Sequence, residues 1–403
     1  MFYILWFIVA FAIVGSGYAY VGWRLITPAH LAPPWSWLSW GALALMLLLP
    51  VTAMLLEVNR VGTPWKRGLE WAAYVSLGFF SLVITLLILR DAGWLIGIGL
   101  RKAGALLSGA PGSAGGPAVP ADPGRREAIV QSVNLALLAV AGGFAGYGLF
   151  EARRRPSVPT VEIPIDGLPA ALEGFRIVQI SDLHAGLTIG RPFVETVVET
   201  ANALDADIVA FTGDIADGRV ADLHIDVEPL SRLTARYGKY FITGNHEYYS
   251  GALPWIEEAG RLGFDVLLNE HRLITRGTGK ILLAGVTDVS GGQFIPAHRS
   301  DPHGAIAGAP PADLKILLAH QPRSLYEGLK AGYHVQISGH THGGQFFPWN
   351  LLATVGQPCI KGLRRFQDTW LYVSKGTGYW GPPVRIGARS EIAVITLTRT
   401  KPV

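Results

Sequence analysis

The chain has 403 residues and a net charge of +4; 50% of its residues are hydrophobic and 16% are charged. An average soluble protein has about 25% charged residues, so this composition excludes a disordered chain and disfavours a wholly soluble one. The excess of basic residues is too small to indicate nucleic-acid binding, and no nucleic-acid partner is expected.

Four segments in the first 150 residues predict membrane-spanning helices. They carry no charged residue and lie near residues 2–23, 35–56, 71–89 and 128–150. At about 1.5 Å per residue, each forms a helix long enough to cross a hydrocarbon core of about 30 Å. Buried helices of a soluble domain are the alternative, but four such segments so close together disfavour it. We therefore expect residues 1–156 to form an all-α transmembrane region of about four helices, with the lipid bilayer as its partner.

Residues 157–403 predict an α/β domain, because short β-rich segments alternate with helical ones. The predicted strands lie near residues 175–180, 207–211, 240–242, 281–285, 315–318, 334–337, 370–373 and 392–397. Helices are predicted near residues 192–204, 227–236 and 254–262. About 245 residues are enough for one large hydrophobic core.

Short polar motifs follow the carboxyl ends of five predicted strands. They are Asp182-Leu183-His184, Gly213-Asp214, Gly244-Asn245-His246-Glu247, Ala319-His320 and Gly339-His340-Thr341-His342. In α/β folds the loops at this edge of a sheet converge on the ligand. An isolated Asp-x-His or Gly-Asp is uninformative, whereas two histidines in a glycine-rich turn are specific. Taken together, the motifs predict one site built from distant parts of the chain.

The residue types in these motifs predict a metal site. Asp182 and His184 are separated by one residue, so both side chains can face one ion, and His340 and His342 repeat this spacing. Asp214 has two carboxylate oxygens and can bridge two cations. A further oxygen and a further imidazole come from Asn245 and His320. Mixed nitrogen and oxygen ligands suit Mn, Fe, Zn or Co better than Ca²⁺, and a chain with one cysteine cannot form a thiolate zinc cluster.

The five motifs, in this order, resemble those of the calcineurin-like metallophosphoesterases over about residues 174–397. The resemblance implies a four-layer sandwich of two β-sheets flanked by helices, and metal-dependent hydrolysis of a phosphoric ester or pyrophosphate. It implies two metal ions, the first held by Asp182, His184, Asp214 and His342. The second would be held by Asp214, Asn245, His320 and His340. His246 would be the catalytic general acid, and Glu247 replaces the commoner Asp of the family.

Two further stretches, residues 339–345 and 371–376, resemble a membrane-attached bacterial subgroup similar to UDP-2,3-diacylglucosamine hydrolases. This resemblance implies a multi-pass protein of the bacterial cytoplasmic membrane. It also implies a phosphorylated, lipid-linked substrate such as UDP-2,3-diacylglucosamine, a precursor of lipid A. The oligomeric state is left open by the sequence.

The sequence contains conflicting indications of which side of the membrane the catalytic domain faces. Six basic residues fall on each side of the predicted membrane, so the positive-inside rule gives no preference. Arg125 and Arg126 before the fourth span resemble an export signal, which favours an extracytoplasmic domain. Arg153, Arg154 and Arg155 after that span favour the opposite side, as does a lipid A precursor. We favour the extracytoplasmic side.

Two other functions are compatible with parts of the sequence. A non-catalytic, metal-binding regulatory or scaffold protein would keep the ligands, but His246 and the complete ligand set disfavour it. A transporter with a regulatory phosphatase domain would need charged residues inside its spans, and these are almost absent.

Three local roles stay open at this stage. Glu247 either orients His246 or a ligand, or is a carboxylate at a helix amino terminus. Asp288 either supports the site indirectly or caps a turn. Residues 346–349, Phe-Phe-Pro-Trp, either pack into the core or contact lipid.

Overall fold

The structure is a computed structural model that describes residues 2–58, 65–107 and 122–400. The chain divides into two compact units, Met1–Tyr147 and Gly148–Val403. The division falls inside a long helix, before the predicted domain boundary at residue 156.

The first unit has a helix at each of the predicted spans. The helices are α1 (Phe2–Leu25), α2 (Trp35–Val58), α3 (Lys66–Leu107) and α4 (Pro123–Arg153), the last of which ends in the second unit. In the described ranges, three segments are long and apolar enough to cross a membrane: Trp35–Leu56, Lys66–Leu107 and Gly124–Arg153. The count of four spans stays a prediction. Because no proline interrupts residues 90–107, α3 continues well beyond the predicted segment 71–89.

Charged side chains of α1 and α3 are paired with each other. Arg24 donates to Asp91 Oδ1 over 2.6 Å, and the Tyr20 hydroxyl donates to Asp91 Oδ2 over 2.6 Å. Arg90 also bonds Asp91 and donates to Asn134 Oδ1 of α4 over 2.5 Å. Arg24 and Arg90 directly follow segments that were predicted as spans, but α3 continues past Arg90, so Arg90 and Asp91 lie near the middle of the candidate span Lys66–Leu107.

The second unit contains two six-stranded sheets. Its strands are β1 (Thr160–Ile165), β2 (Arg176–Ile180), β3 (Ile208–Phe211), β4 (Lys239–Phe241), β5 (Asp265–Val266), β6 (Glu270–Arg276), β7 (Gly279–Gly285), β8 (Leu314–Leu318), β9 (Val335–Ser338), β10 (Gly362–Phe366), β11 (Thr369–Val373) and β12 (Ala393–Arg399). The strand orders are β1-β12-β2-β3-β4-β5 and β10-β11-β9-β8-β7-β6. Strands β2 to β5 are parallel, and so are β7, β8, β9 and β11.

Alternating side chains divide the second unit into layers. Ile177 and Ile208 of the first sheet meet Ile316 and Ile337 of the second in the layer between the sheets. Burial of each such side chain contributes about 1.5–3 kcal/mol. Residues of opposite parity, such as Phe211, face the helices outside the first sheet, which are α5 (Arg191–Asn202), α6 (Val220–Val227) and α8 (Ala252–Arg261). With α10 (Leu325–Ala331) packed outside the second sheet, this is the predicted four-layer sandwich.

All eight predicted strands are present, and the four that the pattern missed are the edges of the two sheets. Edge strands lack the continuous apolar pattern of central strands because one of their sides is open. β1 contains Pro164, and β10 contains Arg364 and Arg365. Four short helices were also not predicted: α7 (Asn245–Ser250), α9 (Gly291–Phe294), α10 and α11 (Trp349–Leu352).

One predicted helix was wrong in position. The pattern placed a helix at residues 227–236, whereas α6 ends at Val227 and a short 3-10 helix, Glu228–Arg232, follows. Pro229 is the reason, since it has no N–H to donate to the carbonyl of Ile225 and so ends the α-helical hydrogen-bond pattern.

Candidate metal centre

All five sequence motifs directly follow the strands that were predicted to carry them. Asp182 follows β2, Asp214 follows β3 and Asn245 follows β4 in the first sheet. His320 follows β8 and His340 follows β9 in the second sheet. Because these strands are parallel within each sheet, their carboxyl ends lie at one edge, and the loops of both sheets meet there.

The backbone at this edge has an unusual conformation. Five of the seven predicted ligands have positive φ angles: Asp182 (53°), His184 (49°), Asp214 (57°), His340 (72°) and His342 (50°). A left-handed conformation costs a non-glycine residue roughly 1–2 kcal/mol. Such strain is concentrated at functional sites, where the surrounding structure stabilises a backbone conformation that is unfavourable for the isolated residue. Here the sharp turns direct the side chains of these residues, which come from separate loops, towards the same candidate site.

A first group of donor atoms comes from Asp182, His184 and His342, all of them buried. His184 Nε2 lies 3.0 Å from His342 Nε2, and His342 Nε2 lies 3.7 Å from Asp182 Oδ1. Asp214 Oδ2 reaches this group as well, at 3.7 Å from His184 Nε2. These are the four side chains predicted for the first ion.

A second group lies around the same carboxylate. Asp214 Oδ2 is 3.1 Å from His320 Nε2, and Asn245 Oδ1 is also 3.1 Å from that nitrogen. His340 Nδ1 lies 3.0 Å from Asn245 Oδ1 and 3.3 Å from His320 Nε2. These are the four side chains predicted for the second ion, and Asp214 is common to both groups.

The chemistry of the two donor sets fits divalent metal ions. Imidazole nitrogens of His184 and His342, and of His320 and His340, face each other at hydrogen-bond distance inside the protein. His184 Nδ1 faces a carboxylate oxygen of Asp217 and His320 Nδ1 faces the carbonyl of Thr212, so in the neutral rings Nδ1 carries the proton and Nε2 offers a lone pair to a cation. Burial lowers the pKa of His340 to about 3, which keeps its imidazole neutral and able to ligate.

Glu247 holds two of the motif loops together. Its buried carboxylate accepts hydrogen bonds from the backbone N–H groups of Gly244 (2.6 Å), Asp214 (2.9 Å) and Ile215 (2.7 Å). The bond to Gly244 caps the amino terminus of α7, and the other two position the Asp214 loop. Glu247 therefore has both of the roles that the sequence left open. It is a carboxylate at a helix amino terminus, and it positions the backbone of the predicted ligand Asp214, but it does not bond His246.

Asp217 is one of two residues of the site that the sequence analysis did not predict. Its Oδ1 lies 2.8 Å from His184 Nδ1 and 2.6 Å from His246 Nδ1, so one carboxylate orients both a predicted metal ligand and the predicted general acid. Burial raises its pKa, but the two imidazoles outweigh this and lower the pKa to about 2. The available signal was its position, three residues after Asp214 in the same strand-end loop.

His246 lies at the mouth of the site. Its backbone N–H donates to Asp214 Oδ1 over 2.8 Å, and its ring stands edge-on to His184 with centroids 4.6 Å apart. The rings of Tyr249 and Trp380 lie 5.3 and 5.7 Å away. Burial lowers the pKa of His246, but the nearby carboxylates of Asp214 and Asp217 outweigh this effect and raise it to about 9.

The structure also places Asp288 and residues 346–349, whose roles the sequence left undecided. Asp288 caps a turn, since its Oδ1 accepts from Ser290 N over 2.8 Å, and it also accepts from Gln321 Nε2 over 3.1 Å beside the ligand His320. In the apolar stretch Phe346 is buried, as expected for a core residue, and Phe347 is exposed, so the contact with lipid stays a prediction for the exposed part.

Arg385 was also not predicted. This fully buried side chain donates to the carbonyls of Lys375, Gly378 and Ala388, and its Nη2 lies 3.1 Å from His342 Nδ1. It thereby connects the loop after β11 to His342, one of the predicted metal ligands.

Comparisons with known proteins agree with this geometry. The calcineurin-like phosphoesterase model matches residues 175–344. A Danio rerio protein named "Transmembrane protein with metallophosphoesterase domain" is 39% identical over 280 residues, which are 68% of this chain and 63% of that protein. The Bos taurus protein of the same name is 34% identical over 336 residues, which are 81% of this chain and 73% of that protein. The chain therefore spans less than two thirds of the Danio rerio relative.

A bacterial relative is matched over most of its length. The Bacillus subtilis (strain 168) protein named "Uncharacterized metallophosphoesterase YkuE" is 32% identical over 272 residues, which are 64% of this chain and 92% of that protein. With the fold and the metal-ligand clusters described above, these matches show that the chain belongs to the calcineurin-like metallophosphoesterases, a family of metal-dependent phosphoester hydrolases.

Proposed function

We propose that this chain is a membrane-anchored phosphoesterase that uses two metal ions. The first ion would be held by Asp182, His184, Asp214 and His342, and the second by Asp214, Asn245, His320 and His340. One observation carries the proposal: Asp214 Oδ2 lies 3.7 Å from His184 Nε2 and 3.1 Å from His320 Nε2, so a single carboxylate oxygen faces both donor groups.

Different side chains of the site would have different roles in hydrolysis. When bound, the metal pair would supply Lewis-acid charge for the phosphoryl oxygens and would activate a water. Asp217 occupies Nδ1 of His246, which leaves Nε2 as the ring nitrogen available to a substrate. As the P–O bond breaks, His246 Nε2–H would give its proton to the leaving oxygen. Glu247 would hold the loop of Asp214 in place through the backbone bonds described above.

We infer that the substrate is a phosphoric ester or pyrophosphate carried on a lipid. Support comes from the apolar spans and from the exposed aromatic side chains beside His246, Tyr249 and Trp380. UDP-2,3-diacylglucosamine belongs to this class, but it is accessible only to a domain on the cytoplasmic face of the bacterial inner membrane.

Removal of metal tests the central proposal. Full-length protein in detergent should lose hydrolysis of bis(p-nitrophenyl) phosphate after chelation and regain it with Mn²⁺, Zn²⁺, Fe²⁺ or Co²⁺. Elemental analysis of the reconstituted protein should give two ions per chain. A substrate series of phosphomonoesters, phosphodiesters, nucleotide-sugar pyrophosphates and lipid phosphates then identifies the class. Undiminished activity after exhaustive chelation, or fewer than two ions in active protein, would contradict the proposal.

Protease accessibility tests the orientation. We expect protease added to intact spheroplasts to digest residues 157–403, because the domain is proposed to lie outside the cytoplasm. Digestion would exclude a cytoplasmic lipid A precursor as the substrate. Protection of the domain until the membrane is permeabilised would reverse the proposed orientation, and a cytoplasmic protein in the same cells serves as the control for lysis.

Asp217→Asn should lower kcat by about 10–100-fold, the usual effect of removing a group that orients a metal ligand. The neutral amide keeps the shape but loses the charge that holds His184 and His246. KM should change little, since Asp217 is not proposed to touch substrate. Asp222→Asn is the matched control because this exposed carboxylate pairs only with Arg219 on the surface in the described residues. An unaltered kcat in Asp217→Asn would remove its positioning role.

A further inference from the structure

Large apolar side chains are exposed close to the metal centre. Residues 346–356 directly follow the Gly-His-Thr-His-Gly-Gly-Gln motif and include α11. We use the name apolar rim for six exposed side chains of the second unit: Phe347, Trp349, Leu351, Leu352, Val355 and Trp380. Val355 is 74% exposed, Leu352 58% and Trp380 55%. Five of the six lie within nine consecutive residues, an unusual density of exposed apolar groups for a protein surface.

The apolar rim is attached firmly to the site. Gln345, which ends the motif, donates through Nε2 to the carbonyl of Trp380 over 3.0 Å, and its Oε1 accepts from Trp380 N over 3.1 Å. On the other side, Gly344 packs directly against Asn350 of α11. The rim therefore occupies a defined place beside His342 and His246 and is not a loose loop.

The same loops contact the end of the apolar helix α4. Within the second unit, Arg385 N donates to the carbonyl of Gly148 over 3.0 Å, and a Cβ added at Gly148 would lie 2.6 Å from Val384. Ala152 packs with Tyr379, the neighbour of Trp380. The loop of residues 378–386 thus joins the rim to the final turns of a candidate membrane span, Gly124–Arg153.

Basic residues accompany this attachment. Arg153, Arg154 and Arg155 end α4 and follow it, and Arg389 Nη2 donates to the carbonyl of Arg155 over 3.4 Å. Arg154 and Arg155 are paired with acidic side chains, which leaves the group with a net positive charge. Positive charge at the end of α4, which packs against Tyr379 beside the exposed Trp380, matches the chemistry of an anionic phospholipid surface.

We propose that the apolar rim inserts into the interfacial layer of the bilayer that α4 spans. We propose the membrane, and not another protein, as the partner of the rim. The reason is that the loop of residues 378–386 connects the rim to the end of α4, where the chain leaves the predicted span. Insertion would hold the mouth of the metal centre against the lipid headgroups, where a phosphate carried on a lipid reaches it by lateral diffusion. The placement of the rim depends on α4 spanning the membrane and does not depend on hydrolysis.

Site-directed fluorescence in nanodiscs tests the insertion. Cys359→Ala removes the only cysteine of the chain, and Val355→Cys then carries a bimane label in full-length protein, one chain per nanodisc of phosphatidylcholine and phosphatidylglycerol. Doxyl-labelled phosphatidylcholine quenches fluorophores that lie in the bilayer. The exposed Thr278→Cys is the matched control, because Thr278 precedes β7 and so lies at the sheet edge opposite the metal centre. Phe150→Cys, near the end of α4, is the membrane control.

Quenching at Val355 should be about threefold or more above that at Thr278 and similar to that at Phe150, as expected for a side chain at the acyl boundary. Metal content equal to that of the parent protein verifies folding, and Leu352→Cys replaces Val355→Cys if the latter fails this check. Quenching at the rim no greater than at Thr278 would overturn the proposal. A blue-shifted but unquenched label would also overturn it, since protein and not lipid would then cover the rim. Neither result depends on catalytic activity, so the outcome is separable from that of the proposed function.

Discussion

Asp214→Asn is expected to abolish hydrolysis and to weaken the binding of both metal ions. Asp214 Oδ2 faces His184 and His320 together, so a single substitution removes negative charge from both donor groups. We expect kcat to fall by about 10³-fold or more, because the loss of one preorganised electrostatic group alone costs about 10²–10³-fold. The measurements are hydrolysis of bis(p-nitrophenyl) phosphate and metal content by elemental analysis.

Asp182→Asn provides the matched comparison for this effect. Asp182 is buried to the same degree as Asp214, but it belongs to the first donor group only. Asp182→Asn should therefore retain about one ion per chain, whereas Asp214→Asn should retain fewer. If Asp214→Asn bound two ions as tightly as the parent protein, the shared carboxylate would not bridge them, and the two-metal proposal would lose its central observation.

His246→Ala should separate metal binding from proton donation. The backbone N–H of residue 246, which donates to Asp214, is kept in this variant, and the side chain is not among the proposed ligands. We therefore expect metal content to stay unchanged while kcat falls by about 10²–10⁴-fold, the range for loss of a general acid. The decrease should be largest for alkyl phosphoesters, whose leaving oxygen needs a proton, and smallest for p-nitrophenyl esters.

His224→Ala is the control for replacement of a histidine elsewhere in the same unit. His224 lies exposed on α6, and its ring bonds only the Val220 carbonyl of its own helix in the described structure. Activity should be retained in this variant. An equal loss across leaving groups in His246→Ala would show that His246 acts by another route, such as holding the substrate, and would remove the general-acid assignment.

The sequence by itself predicted the central strands of both sheets and the side chains that the structure brings together at the candidate metal centre. Central strands are buried on both faces, so they appear as short apolar runs that can be recognised without neighbours. The polar motifs follow these runs, and parallel strands place their carboxyl ends together, which is why Asp182, Asp214 and His340 could be grouped although they are far apart in the chain. The edge strands could not be found in this way, because their residues face solvent on one side and carry proline or charge.

The tertiary structure alone decided how these side chains are held. Asp217 meets His246, and Arg385 meets His342, only after β3, α7 and the loop beyond β11 have packed, and no spacing in the chain encodes such pairs. The left-handed turns at five proposed ligands are likewise imposed by the surrounding loops, since the isolated residues would avoid them. A local pattern can specify which groups are available, whereas the distances between them depend on long-range packing.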